Sequence, residues 1–342
     1  MLLPTEPALI LAPMEGVTDA SMRAVQGEIG AFTYAVSEFL RVGQIVPSKR
    51  NLYRHIPELC AGSRTPTGLP VQVQLLGGHA GRLAESAALA VAAGAQAIDL
   101  NFGCPARTVN RHDGGATLLK YPKRIREIVG AVRDAVPRNV PVSAKLRLGW
   151  DSPDAIDENA EMAAEGGASW LTIHGRTRFA GYAPPIHWEP IGRVRERLAI
   201  PVVANGDIWT IADFRRCREQ TGCGHFMLGR GALANPLLAH QVAAELGIAR
   251  VEGNTEENRS IDWLPYLRRL DRWMQAFIPD SSNGPVRRMK QWLKMAATRG
   301  TFDHFDAIKR AANVEELFAI LKALSNELQA QFVPIAFPFI TR

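Results

Sequence analysis

Cysteine is scarce in this chain: there are four in 342 residues, at positions 60, 104, 217 and 223, with no CxxC pair and no Cys/His cluster at zinc spacing. A disulfide framework and a structural zinc are therefore excluded as organising devices, and no metal site is expected. Long apolar runs are missing too, none approaching the roughly 18 residues that a membrane span requires. The opening MLLPTEPALILAPMEG has neither a basic leading segment nor a small-residue cleavage site, so no secretory signal is read there and the cytoplasm is the expected location. Nor does a GxGxxG turn follow the first apolar run, which ends Ala12-Pro13-Met14-Glu15-Gly16. An open dinucleotide-binding sheet would ordinarily begin with such a turn.

What is present is the composition of a packed domain, 46% hydrophobic and 22% charged, which leaves no case for global disorder. The length suggests two domains, or one large barrel with an appendage. The net charge of +6 is mild, compatible with a polyanionic partner and equally with an ordinary enzyme, but its placement is uneven. Residues 259–310 hold 11 Lys/Arg against 5 Asp/Glu, and the rest of the chain is balanced at 29 against 29.

Eight short β-branched or apolar runs recur through the first 231 residues, at 8–13, 33–39, 70–77, 95–101, 140–149, 169–176, 200–207 and 225–231. Between them lie stretches with apolar residues at three- and four-residue intervals, such as 81–95, 121–136 and 152–168. Ser152 before Pro153 reads as a helix N-cap followed by proline in the first turn. Strands separated by helices pair in parallel, and eight such units close a barrel. The expected fold is thus α/β, a (β/α)8 TIM barrel over residues 1–250. Three helical stretches, about 260–278, 285–299 and 304–330, predict a small C-terminal helical bundle over 259–342, behind a linker at GIARVEGNTEENR.

In such a barrel the chemistry gathers at the carboxyl ends of the strands, where alone a pocket opens. Those ends supply Pro13, Met14 and Glu15; Glu38 and Arg41; Gln74; Asn101 and Cys104; Lys145 and Arg147; His174 and Arg176; Asn205, Gly206 and Asp207; and Gly229 and Arg230. The last two ends combine small residues with an arginine, which lets backbone N–H groups and a forked cation meet an anion, so a phosphorylated ligand is expected there. Lys145 interrupts an apolar run, which is costly without a charged or electron-rich partner. His174 is open between a ligand contact and a histidine bonded to neighbouring backbone, and Gln74 between a strand cap and a group presented to a heterocycle edge. Asn101-Phe102-Gly103-Cys104-Pro105 forms a sharp loop that aims a thiol at the pocket mouth. A thiol with a pKa of roughly 8.5 is mostly protonated at neutral pH and can protonate a carbanion, whereas Arg107 nearby would favour the thiolate. The glycines of His112-Asp113-Gly114-Gly115-Ala116 mark a flexible loop or lid, or simply a turn.

Taken in order, APMEGVTD (12–19), VQLLG (73–77), DLNFGCPARTVNRHDGGATLL (99–119), KLRLGWD (145–151), IHGRTRFAGY (173–182), ANGDI (204–208) and LGRGAL (228–233) resemble the tRNA-dihydrouridine synthases, flavoproteins that reduce particular uridines in tRNA. SEFLRV (37–42), RLGWD and MKQWL (289–293) look most like the C-type subgroup, which acts on uridine 16 of the D-loop. Phe102 departs from the family pattern, a change expected to alter packing more than chemistry.

The resemblance implies FMN held by Pro13, Met14 and Glu15, with Gln74 on its pyrimidine edge, Lys145 neutralising charge on the reduced ring and His174 nearby. Asn205, Gly206, Asp207, Gly229 and Arg230 would surround the phosphate and ribityl chain. NADPH, or NADH, would be a transient reductant, and Cys104 would protonate uracil C5 after hydride reaches C6. Asn101 and Arg176 would orient the base, with Tyr182 touching it or its neighbour. The partner implied is tRNA, bound through Arg41, Arg287, Arg288, Lys290 and Lys294 with Trp292 as a stacking surface; no protein partner is implied. A solvated helix face and a core tryptophan are the plain alternatives for that tail. Two other functions stay open on the residues alone: a flavin barrel acting on a free pyrimidine-like molecule, and a non-catalytic tRNA-binding module.

Overall fold

The computed structural model describes residues 6–248, 261–278 and 284–331. The expected linker lies outside the described residues beyond Ile248. By its contacts the chain divides into two compact units, Met1–Glu257 and Asn258–Arg342.

The first unit is a closed (β/α)8 barrel. Its strands are β1 (Ala8–Leu11), β2 (Tyr34–Val36), β3 (Val71–Leu76), β4 (Ile98–Asn101), β5 (Val142–Arg147), β6 (Trp170–His174), β7 (Val202–Asn205) and β8 (His225–Leu228). Each pairs in parallel with its chain neighbour, and β1 also pairs with β8, with Ala8 opposite His225, which closes the ring. Every strand falls inside one of the eight expected runs but is shorter, and in all but the fourth the last residues of the run leave the ladder to form the rim. A two-residue segment, Leu40–Arg41, pairs with Leu75–Leu76 and carries Arg41 to that rim.

Helices fill the outside of the ring as the periodicity predicts, for example Ala80–Ala92, Pro122–Ala135 and Ala155–Glu165. The third starts later than expected: Ser152 Oγ accepts from Asp154 N at 3.3 Å in the preceding bend, and the helix begins at Ala155.

Two bonds identify which side chains point into the bore. Lys145 on β5 reaches Asn205 on β7 across the intervening β6, and Gln72 on β3 reaches Ser143 on β5 across β4. Side chains that skip a strand in this way must share the interior, and the period of two then places Gln72 and Gln74, Asp99 and Asn101, Ser143, Lys145 and Arg147, and Thr172 and His174 inside. The opposite wall is apolar, a buried cluster of Ala8, Ile10, Ala12, Tyr34, Val36, Trp170, Val203 and Met227. The barrel is a filled cup, apolar on one wall and polar on the other.

The second unit consists of helices Leu264–Phe277, Gly284–Ala297, Phe305–Ile308 and Val314–Gln331. The single helix expected over 304–330 is broken before Val314, where Asn313 Oδ1 accepts from Glu316 N at 2.8 Å while the Glu316 carboxylate accepts from Ala312 N at 2.6 Å. That reciprocal pair satisfies helix-start donors as a capping box does. Trp292 is 1% exposed, edge-on to Trp263 at 5.7 Å and Tyr266 at 6.4 Å, so it is core and has no face for a nucleobase. Among the described residues no helix is long and apolar enough to cross a membrane.

Candidate active site

The polar wall of the cup rises to the carboxyl rim as one connected network. Asp99 accepts from Ser143 Oγ and, at 2.6 Å, from Gln74 Nε2. Burial raises its carboxyl to about 6, with the bonds from Ser143 and Gln74 and the charge of Lys145 acting the other way, so it is mostly ionised at neutral pH. Gln74, 0% exposed, thereby points its carbonyl at Asn101 Nδ2, 2.9 Å away. Asn101 Oδ1 in turn accepts from Gly103 N at 3.0 Å and Cys104 N at 2.9 Å. The expected rim residues Gln74, Asn101 and Cys104 are thus links of one chain of bonds anchored on Asp99.

Cys104 is half-buried. Burial pushes its thiol above the ordinary range, and the backbone bond at Ala106 and the positive charges of Arg147 and Arg41 only moderate this. Of the two expectations for this sulfur, the protonated thiol is therefore favoured. Gly115 explains the neighbouring glycines: its φ is +59°, and a Cβ there would lie 3.0 Å from Cys104 O and 3.1 Å from Cys104 Cβ. The loop is tied rather than free, since Ala116 N donates to Cys104 O at 3.1 Å and Asp113 holds Arg124 at 2.8 and 2.6 Å. Phe102 is buried beneath it, a packing residue.

Cations surround the mouth. Lys145 Nζ donates to Asn205 Oδ1 at 2.8 Å, and Asn205 Nδ2 donates to Met227 O at 2.8 Å. Burial and the adjacent Arg147 lower the Lys145 ammonium to about 8, with Asp99 opposing. Arg147 clamps the cysteine loop to the loop after β6, donating to Gly103 O at 2.8 Å and Gly181 O at 2.8 Å. His174 is held neutral by burial and by Arg147, Lys145, Arg176 and Arg230, and its Nδ1 is buried without a partner. Gly206 has φ +116°, and a Cβ would come within 2.6 Å of Ile186 Cδ1 and 3.1 Å of His174 Nε2, so only glycine fits.

Three expected residues sit differently from their anticipated roles. Arg176 is 1% exposed, with Nε on Ala183 O at 2.7 Å and Nη2 on the Asp207 carboxylate, so it lies below the rim with only Nη1 unpartnered. Asp207, itself at φ +47°, spends its carboxylate on Arg176 and on Arg230 at 3.4 Å. It positions two cations, and its own charge would repel a phosphate. Lys290 donates to Ala311 O within the helical unit. Tyr182 is exposed, with the guanidinium groups of Arg230 and Arg147 over its ring at 4.8 and 5.1 Å and His174 edge-on at 6.4 Å. Pro13 and Met14 are half-buried at the end of β1, and Glu15 beyond them is exposed. Gly229 packs close to Met14, whose Sδ would lie 3.1 Å from a Cβ there. In the helical unit Arg287 and Lys294 are exposed, Lys294 Nζ lies over Phe305 at 4.7 Å, and Arg288 bonds Gln291.

At the end of β2, Glu38 accepts from Val17 N at 3.0 Å, and burial with the nearby Asp19 and Glu15 raises its carboxyl to about 7. Asp99, Ser143 and Arg147 do most to build this site and were not assigned roles from the sequence. The available signal was alternation: Gln-x-Gln, Asp-x-Asn and Ser-x-Lys-x-Arg put a polar residue at every second position of runs that otherwise look uniformly apolar.

The fold and this rim define a (β/α)8-barrel enzyme whose cup gathers cations at its mouth beside the half-buried thiol of Cys104. The chain belongs to the dihydrouridine synthase family: the profile described as Dihydrouridine synthase (Dus) matches residues 10–325. It is 47% identical over 287 residues to the tRNA-dihydrouridine(16) synthase of Pseudomonas putida, covering 84% of this chain and 87% of that one. With the tRNA-dihydrouridine(16) synthase of Neisseria meningitidis serogroup A it shares 40% over 326 residues, 94% of this chain and 95% of that one. Among solved structures, histamine dehydrogenase from Rhizobium sp. 4-9 matches 70% of this chain and 46% of its own with a TM-score of 0.51 at 17% identity, a likeness of fold alone.

Proposed function

We propose that this chain reduces the C5=C6 bond of uridine 16 in the D-loop of tRNA, with FMN as its cofactor and NADPH as reductant. The relatives at 40–49% identity are named for that position. The observation that carries the reading is the thiol of Cys104, held protonated by burial and aimed by Asn101 at the mouth of a cationic cup.

The donor set suits a flavin phosphate. Lys145 has donors to spare beyond Asn205, Arg176 Nη1 and His174 Nδ1 lack partners, and Arg230 is half-exposed at the rim. Lys145 and Asn205 would hold the ring from beneath with Gln74 at its pyrimidine edge. Gly206, Gly229 and Arg230 would receive the phosphate, with Asp207 orienting Arg230, while Pro13, Met14 and Glu15 cover the remaining edge. When bound and reduced, FMN would supply the hydride that goes to uracil C6. Cys104 Sγ then gives its proton to C5, a role that a buried neutral thiol fills better than a thiolate. Asn101 fixes the thiol's height, and Tyr182, braced by two guanidinium groups, closes over the base. Arg176 acts through Asp207 and does not touch the substrate.

A uracil inside folded RNA must leave its stack to enter the cup, at a cost of a few kcal/mol that phosphate contacts elsewhere offset. Arg41 on the barrel unit and Arg287, Arg288 and Lys294 on the helical unit are assigned to those contacts. The barrel, 1–250, is then the catalytic domain and 259–342 the tRNA-binding domain, working in the cytoplasm where tRNA is matured. The test is incubation of the FMN-loaded protein with NADPH and unmodified tRNA, followed by mass-spectrometric mapping. Two added hydrogens at position 16 are expected, and an unchanged uridine there would refute the assignment.

A further inference from the structure

The loops that follow β5 and β6 are joined by their main chains. Leu148 N donates to Arg176 O at 3.1 Å, Arg178 N to Gly149 O at 2.8 Å and Phe179 N to Trp150 O at 2.8 Å. A Cβ at Gly149 would fall 2.1 Å from Ser152 O, so the loop after β5 is itself tightly turned at the junction. They form a stiff ledge that extends the barrel wall beyond the rim.

The side chains on this ledge are unusual for a surface. Trp150 has two cations over its ring, with Lys120 Nζ 3.8 Å and the Arg178 guanidinium 4.6 Å from its centre. Arg178 Nε is buried without a hydrogen-bond partner. Phe179, at the end of the ledge, is 80% exposed, and Tyr182, three residues on at the mouth of the cup, is 58% exposed. An exposed aromatic ring next in sequence to a cation, three residues from Tyr182 at the mouth of the cup, matches the chemistry of a single-stranded nucleic acid, in which every base offers a π face and every linkage a negative charge. A protein partner would want contiguous apolar area, which a single exposed ring does not provide. Lys120 lines a depression beside Trp150 together with Asp151 and Glu158, whose carboxylates disfavour a phosphate there, which leaves Arg178 for the RNA backbone.

We propose that this ledge is a stacking platform for a nucleotide of the RNA next to the one being reduced, with the base on Phe179 and its phosphate met by Arg178. The proposal rests on the reading of the chain as a tRNA reductase and deepens it. It also explains how the enzyme distinguishes a uridine within RNA from the free nucleoside, which has no neighbour to place there.

The experiment compares FMN-loaded wild type with Phe179→Ala and Phe179→Trp, measuring tRNA affinity and the KM for tRNA. Melting temperature and bound FMN report folding, which substitution at so exposed a side chain should preserve. Phe179→Ala should raise both Kd and KM about tenfold, and Phe179→Trp should restore most of the loss. Replacing Arg178 by Ala should reduce the salt dependence of binding by about one unit of slope, roughly one per phosphate contact removed. Wild-type affinity and KM in Phe179→Ala, in a preparation whose wild type reduces tRNA, would overturn the platform while leaving the activity intact. A wild type that leaves tRNA unreduced would overturn the activity itself.

Discussion

Gln74 Nε2 donates to Asp99 Oδ2 at 2.6 Å, and this one bond decides which way round the Gln74 amide sits. An ionised carboxylate can only accept, so the carbonyl of Gln74 must face Asn101, whose own carbonyl is thereby turned to the main chain of Cys104. Asp99→Asn removes that direction. The variant should lose about 1–3 kcal/mol of stability, as a buried charge-assisted bond is given up. Turnover of tRNA should fall by roughly tenfold or more as the thiol loses its placement. Chemical denaturation and single-turnover rates measure the two effects, and a wild-type rate would remove Asp99 from the positioning of Cys104.

Cys104→Ala should keep the yellow colour and the affinity for tRNA while lowering single-turnover reduction by orders of magnitude. Because burial holds the thiol protonated, alkylation of wild-type Cys104 should also be slow at pH 8 and accelerate only above the range of an ordinary thiol. Peptide mapping of the labelled cysteine against pH tests this, with exposed Cys60 as the internal comparison.

Glu38 is a titration site with a definite sign. Its folded carboxyl, near 7, holds a proton that the unfolded chain releases near 4.5, so stability contributed by this residue falls as pH rises between those values and stays lower above them. Glu38→Gln should therefore melt several degrees higher than wild type at pH 8 and show little gain at pH 4.5. Equal shifts at both pH values would mean that the carboxyl is not held protonated.

Charge reversal at Arg287 together with Lys294 should weaken tRNA binding and lower its salt slope by about two units. The equivalent change at Lys290 should lower the melting temperature of the helical unit, because that ammonium is engaged by Ala311. Filter binding over a series of salt concentrations separates these outcomes.

The ring of eight strands was legible because each strand is a short buried run and each crossover carries a helical period. The rim was legible because polar residues stand where those runs end. The inner wall was not. Gln72, Asp99 and Ser143 lie within strands that read as apolar on both faces, and only pairing across the bore reveals that one face is polar. Arg176 and Lys290 look like free cations in a list of residues, yet each is consumed by a partner distant in sequence. Trp292 carries no mark that separates a stacking face from a core side chain. The exposed Phe179 was equally silent, since its freedom depends on how two loops join. The break before Val314 was signalled by Asn313 and Glu316, spaced as a helix start inside a longer periodic stretch.

The link from Lys145 to Asn205 runs like a crossbar over a bore already plugged by Gln72, Ser143 and Asp99. A vessel sealed at its base has a single doorway. On the proposed reaction the reductant and the nucleobase would take turns through it, one departing before the other arrives, and initial-rate plots for the two substrates should run parallel.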